Sequence, residues 1–450
     1  MKRYLLAALS VVAITLAGCA KDSDLPNPTG KGTIRAINAI PASPNVNFLI
    51  EERVVASVSY KTASASGNWD DLDYTFNFDV LLAGDTTPTR VASQFLDVIA
   101  DTDYTFLVSG ALDAPDITLW ESEVREWTGD ETVFELRVAN TSPSIGPIDV
   151  YMLDPGTLPV AGTEIGTLSF TEVSPPQDVE SLEKIFVFTP AGDDSTILYQ
   201  SPPITPLAAA SYILAVFDGD ENDVAPYNVA LINTQTNTSG NLVDANAGSA
   251  ARFFHASINA GDADIYVDEP LTTPLVAGHT YGDVTGFLDL PMTGPLPVTY
   301  TAAGNIGALV YEFDPVIADG AFYNFYLSRD QEGTDTVAAI AFDRRSVSTR
   351  ARVVIAHLAA NHPVVDVYIV PSGESIDDVF PFVPSLRPQT PPFVLPLAAG
   401  DFDIYLTEQN EKNIFLGPVP LTTQLGDVLE ALILDTVDPN IPAWVIAPPP

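Results

Sequence analysis

The sequence predicts an all-β chain of about four tandem immunoglobulin-like β-sandwich units, and three observations carry the prediction. Short segments rich in Val, Ile, Tyr, Phe and Thr are cut at close intervals by Pro, Gly, Asp and Asn. Two of them, 74–80 (YTFNFDV) and 401–407 (DFDIYLT), alternate with period two, which marks a half-buried strand. A polar motif returns four times along the chain, and a recurring motif sets the number of units. No segment carries a long, capped pattern of helical period, and 179–187 (VESLEKIFV) is too short and too β-branched to form one. Roughly six or seven short strands in about 100 residues suit a two-sheet sandwich.

The first element is a leader. Lys2 and Arg3 precede an apolar run from Tyr4 to Ala17, the form of a secretory signal. The run is too short to span a bilayer, which needs roughly 20 residues. Leu16-Ala17-Gly18-Cys19 resembles the bacterial lipobox. That resemblance implies a lipoprotein signal peptide over residues 1–19, cut before Cys19, with lipidation of Cys19. Cys19 is the only cysteine in the sequence, so it has no disulfide partner within the chain, in keeping with that role. Ala20, in place of Asp, follows it; by the same resemblance this implies the outer membrane. The expected location is therefore the bacterial cell envelope, reached by export and held by a lipid. Residues 20–32 are polar and rich in Pro, Gly and Asp, and read as a flexible tether.

The β-sandwich units follow at 33–130, 131–249, 250–348 and 349–450. In each, a His or Asn (Asn38, Asn140, His255, His357) stands nine residues before Asn47, Asp149, Asp264 or Asp366. Successive His/Asn positions are 102, 115 and 102 residues apart. Arg35, Arg137 and Arg252 sit three residues before the His or Asn. The fourth copy has Val354 there and Arg352 two residues earlier, on the same face of a strand. Other pieces recur in order: Val160–Leu168 matches Val276–Val284, and Val98–Val108 matches Val316–Leu327 with one gap. An Arg-Val-x-His/Asn-Ala strand, a Pro-rich loop and Asp-Val-Tyr-Val together resemble the family of secreted or anchored bacterial proteins called domain of unknown function 4397. The resemblance covers nearly all of 33–450. It implies a β-sandwich at the cell surface and brings no established activity. Unit one departs from the pattern with Asn47-Phe48-Leu49, and unit four with Val354.

Composition and motifs then bound the function. A net charge of −40 speaks against nucleic acid as a partner and describes a solvated acidic coat. His255 suggests chemistry when seen alone. Two of its three counterparts are Asn, which cannot serve as a general base. The position therefore reads as a side chain that bonds backbone groups at the entry to a loop. The Arg and the Asp twelve residues on are expected to face each other across one hairpin. His279, His357 and His362 lack the further ligands that zinc takes. The sequence holds no Gly-x-Ser-x-Gly elbow and no phosphate loop, so no catalytic residue is assigned. Asp218, Asp220, Asn222 and Asp223 cluster around Gly219 as hard oxygen ligands for Ca²⁺ do, although a solvated hairpin turn is the preferred reading. No other cofactor is expected. Trp120 and Trp127 are placed at the junction of units one and two. The expectation is a non-enzymatic, membrane-anchored envelope lipoprotein, a binding or spacer module with a protein or glycan partner. The alternatives are a hydrolase of envelope polysaccharide and a calcium-stiffened adhesin.

Overall fold

A computed structural model describes residues 27–236, 238–267, 270–291, 294–388 and 392–447. The predicted signal peptide, Cys19 and residues 20–26 of the tether lie outside the described residues. Every element is a β-strand, and the strands sort into four sandwiches of facing sheets, so the all-β class and the sandwich architecture stand. Unit one shows the plan. Strand Lys31–Asn38 runs parallel to Thr102–Ala111, whose other edge carries Ala114–Glu123. The short strands Thr62–Ala63 and Gly67–Asp70 close the opposite edge. The second sheet is antiparallel, in the order Arg53–Val58, Val46–Ile50, Asp73–Val80, Thr89–Asp97. The parallel pair recurs as Val133–Asn140 with Ser211–Asp218, Ala250–His255 with Phe322–Arg329, and Ala351–His357 with Val428–Leu434.

The sheet that holds the parallel pair is buried on both faces. Successive side chains of a strand point to opposite faces. Ile34 and Ala36 thus enter the core of unit one beside Phe48, Phe76 and Phe106, while Ile37 points the other way. Ile37 and Leu107 meet Ala139, Ile213, Ala215 and Phe217 of unit two. In the same manner Phe254 and Tyr326 of unit three meet Ala356, Leu358, Leu432 and Leu434 of unit four. The units therefore associate as two pairs, each with its parallel-pair sheets back to back and its antiparallel sheets outside. Strands buried on both faces read as continuous apolar runs rather than alternations. Tyr212–Phe217 (YILAVF) is such a run, and VLEALIL at Val428–Leu434 is one broken only by Glu430.

The pairs are also tied to each other. On the way into unit three, Gly320 N–H donates to Gly248 O at 3.1 Å. Gly320 has φ +64, and a Cβ there would lie 2.3 Å from Val243, so this approach requires glycine. At a second contact, loop 218–223 of unit two meets the segment 343–348 that leads into unit four. Asn222 Nδ2 donates to Asp343 Oδ1 at 2.6 Å, Ser346 Oγ donates to Glu221 Oε1 at 3.0 Å, and Ser348 N–H donates to Ala42 O at 2.8 Å.

The motif's Arg and Asp do not face each other, contrary to the expectation from sequence. The two strands that carry them belong to different sheets, so the loop between them is an arch across the sandwich and not a hairpin. Each Asp instead ties turns within the outer sheet. Asp149 accepts from Thr167 Oγ1 (2.5 Å) and Gly192 N (2.7 Å); Asp264 accepts from Gly278 N and Gly304 N (both 2.7 Å). Asp366 accepts from Ser385 N (2.6 Å) and Asn410 N (2.8 Å).

Candidate functional site

The arch places the His/Asn position at its foot, and all four side chains there contact a backbone carbonyl, three of them also an arch amide. Asn38 Oδ1 accepts from Ile40 N–H at 3.0 Å, while its Nδ2 donates to Val58 O at 3.1 Å. Asn140 accepts from Ser142 N–H at 3.2 Å and donates to Gly146 O at 2.8 Å. His357 Nδ1 accepts from Ala359 N–H at 3.3 Å, and Nε2 meets His362 O at 2.8 Å, which requires the neutral Nε2–H tautomer. His255 Nε2 meets Gly261 O at 2.7 Å. These contacts satisfy arch amides and carbonyls that burial would otherwise strand. Burial pushes the pKa of His357 down to about 4. His279 is also driven down to about 4, by burial first and then by neighbouring His255, whose ring centroid lies 5.7 Å away. His362 stacks on Phe415 with centroids 5.1 Å apart.

Three of the four motif arginines, Arg35, Arg137 and Arg252, sit in the seams between paired sheets. Arg35 is 1% exposed and spends its donors on Ser66 Oγ (2.9 Å), Asp103 Oδ2 (3.0 Å), Thr105 Oγ1 (2.8 Å) and, across the seam, Thr234 O (3.0 Å). Arg137 donates to Ser174 O at 3.1 Å. The mouth of this seam opens into a polar notch of about 230 Å³ lined by Thr33, Arg35, Asp103, Arg125, Glu135 and Gln235. Arg125 pairs with Asp178 and lies 3.9 Å from the Trp127 ring, whose N–H donates to Ser211 Oγ at 3.2 Å. Trp120 packs inside the seam, and its N–H donates to Thr171 O at 2.9 Å. Both tryptophans therefore lie at the junction of units one and two. Burial raises the pKa of Glu135 at the notch. The notch offers paired charges and hydroxyls, a surface suited to hydrogen-bonding a small polar group.

The seam of units three and four is built differently. Arg252 forms an ion pair with Glu430 of unit four, and both side chains are at most 2% exposed. Arg252 Nε donates to Asn324 Oδ1 at 2.9 Å, Asn324 Nδ2 donates to Glu430 Oε1 at 3.0 Å, and the Tyr326 hydroxyl donates to Glu430. The rings of Phe254, Phe287 and Phe342 surround the guanidinium at 5.0, 5.1 and 4.8 Å. Burial raises the pKa of Glu430, against the pull of Arg252. Arg352 of unit four turns outward to Asp343 at 2.7 Å.

The four calcium candidates do not gather on one point. Asp218 accepts from Ser144 Oγ at 2.7 Å and from Ser142. Asn222 turns to Asp343. Asp220 and Asp223 converge, but on the Lys61 ammonium of unit one, at 3.0 and 2.5 Å. A Ca²⁺ ion there would have to displace that ammonium and gather more oxygens, since it takes six to eight. Sequence reasoning missed Lys61 because its turn carries no motif. It also missed Glu430, although a lone charge inside VLEALIL was a readable sign of a buried partner.

The family described as Domain of unknown function (DUF4397) matches residues 32–151 and 249–368, together more than half of the chain. Each match spans one unit, the first strand of the next and part of its second. No curated protein matches the chain. Among the solved structures that match is the Bacillus anthracis TIE protein. It is 10% identical over 87% of this chain and 68% of that one, at a TM-score of 0.16, a likeness too loose to bear on the fold.

Proposed function

The chain belongs to the DUF4397 family, and we propose that it is a lipid-anchored, non-enzymatic spacer of the bacterial envelope that presents a contact surface away from the membrane. The observation that carries this reading is the continuity of its joints. Two seams bury large side chains between paired sheets, and hydrogen bonds tie loop 218–223 to segment 343–348 between the pairs. Domains joined by sparse polar interfaces move relative to each other by default, whereas large apolar interfaces hold them. Two stiff, acidic pairs joined in tandem suit standing off a membrane. Lipidation at Cys19 and an outer-membrane location belong to the same proposal and rest on the lipobox resemblance. The seam notch and the end loops supply the surface that a protein or glycan would meet.

The test is a pull-down from envelope extract with the mature chain, paired with metabolic lipid labelling of wild type and Cys19→Ala. Label that depends on Cys19, with no specific partner captured, supports the spacer. A partner lost when one unit is deleted makes the chain chiefly a binding module. Absence of Cys19-dependent label overturns the anchor.

A further inference from the structure

We propose that Lys61 and Asp223 are joined by an isopeptide bond, formed within the folded chain and assisted by Asp220, which fastens unit one to unit two. Lys61 Nζ lies 2.5 Å from Asp223 Oδ2 and 3.0 Å from Asp220 Oδ2. The three side chains are 9, 14 and 6% exposed. Among the described residues, the other close lysine–carboxylate pairs are unlike this one. Lys31–Asp70 and Lys184–Asp154 each have a single carboxylate, at 42% and 70% exposure.

Each group is held for reaction. Lys61 sits at φ +65 in its turn, and the neighbouring Tyr60 hydroxyl donates to Asp218 O at 2.8 Å, which docks the turn on the acidic loop. The Asp223 carboxylate accepts from Asn228 Nδ2 at 3.0 Å and from Asp220 N–H at 2.8 Å. Two fixed donors on the reacting carboxyl are the arrangement that stabilises charge on a tetrahedral intermediate. Asp220 Oδ1 accepts from Asn222 N–H at 2.9 Å, whereas its buried Oδ2 faces the ammonium. Burial raises the pKa of Asp220, which suits it to carry a proton.

The chemistry balances without a redox partner. Asp220 takes a proton from the ammonium. The freed amine lone pair attacks Asp223 Cγ, a C–N bond forms, and one C–O bond breaks. Asp220 returns the proton to the departing oxygen. Two protons of the ammonium and one Asp223 oxygen leave as water, and Asp220 ends as it began. In water this condensation is unfavourable. Here the ions are out of water, where an unscreened charge is costly and a neutral amide is not. Groups held within about 3 Å also react with very high effective molarity.

Tryptic peptide mapping of the mature chain by mass spectrometry tests the proposal. The expected result is loss of cleavage after Lys61 and one branched peptide holding Lys61 and Asp223, lighter by one water than its two parts. Lys61→Arg preserves the ion pair and should give linear peptides only. Asp220→Asn should leave most of the chain unlinked. In wild type, full cleavage after Lys61 with a linear Asp223 peptide overturns the bond. So does a branched peptide that persists in Asp220→Asn, as regards the role of Asp220. Neither outcome bears on the spacer reading, which rests on the seams.

Discussion

The two halves of the molecule solve one structural problem with different side chains. In units one and two the arch is held by Asn38 and Asn140; in units three and four it is held by His255 and His357. All four histidines of the sequence fall in the second half. The seams diverge in parallel. The first is chiefly apolar at its centre, with Arg35 balanced near the rim by Asp103 of its own unit. The second places an ion pair at its centre, with Arg252 given by one unit and Glu430 by the other. In the sheet register Arg35 lies beside Thr105, Arg137 beside Ile213, Arg252 beside Asn324, and Val354 beside Glu430. One slot thus decides where the countercharge comes from. The fold accepts an uncharged residue there in three units because the arginine can find its partners elsewhere.

This contrast orders the expected effects of substitution. Removing Glu430 (Glu430→Ala) strands a buried guanidinium and should cost about 3–5 kcal/mol in urea denaturation. The matching change in the first seam, Asp103→Asn, leaves the other Arg35 bonds in place and should cost about 1.5–2 kcal/mol. Equal costs in the two seams would erase the distinction.

Acid should act on the second half first. The imidazole of His357 has a pKa of about 4 when folded and 6.5 when unfolded. Between those values the unfolded chain binds more protons, so stability is intact above pH 6.5 and drains away as pH falls toward 4. At this buried site the loss amounts to about 3 kcal/mol. His357→Asn, which installs the residue native to units one and two, should remove that part of the acid sensitivity. An unchanged pH profile of thermal unfolding in His357→Asn would contradict the account.

Smaller effects follow. Asn38→Ala leaves an arch amide and a carbonyl unmatched and should cost about 1–3 kcal/mol by the same measurement. Calorimetric titration with Ca²⁺ should give no heat while Lys61 holds Asp220 and Asp223; heat that vanishes in Asp220→Ala would favour the calcium reading instead. Phe380, which is 94% exposed, should tolerate Ser within about 0.5 kcal/mol.

The repeats made the strands and the fourfold build legible, because the core of each sandwich imposes its own alternation on the sequence. The role of Asn38, Asn140, His255 and His357 as arch anchors was legible too, since only a shared capacity for hydrogen bonding explains an Asn/His exchange. The arch itself was not. A strand, a short polar loop and a second strand look alike whether the loop turns within one sheet or crosses to another, and so Arg252 and Asp264 were paired wrongly. The seams left one sign, the unbroken apolar run of Tyr212–Phe217, but such a run does not say which unit covers it. Lys61 meets Asp220 and Asp223 across more than 150 residues of chain, and no local pattern encodes that meeting.

The central claim is that the units pair face to face through their parallel-strand sheets. A double-mutant cycle on Arg252→Met and Glu430→Met in the full chain tests it most directly, because those residues belong to different units and touch only if the seam exists. The account predicts a coupling of about 2–3 kcal/mol in urea denaturation, with the double variant more stable than at least one of the single variants. Effects that add to within about 0.5 kcal/mol would mean that the two sheets do not meet.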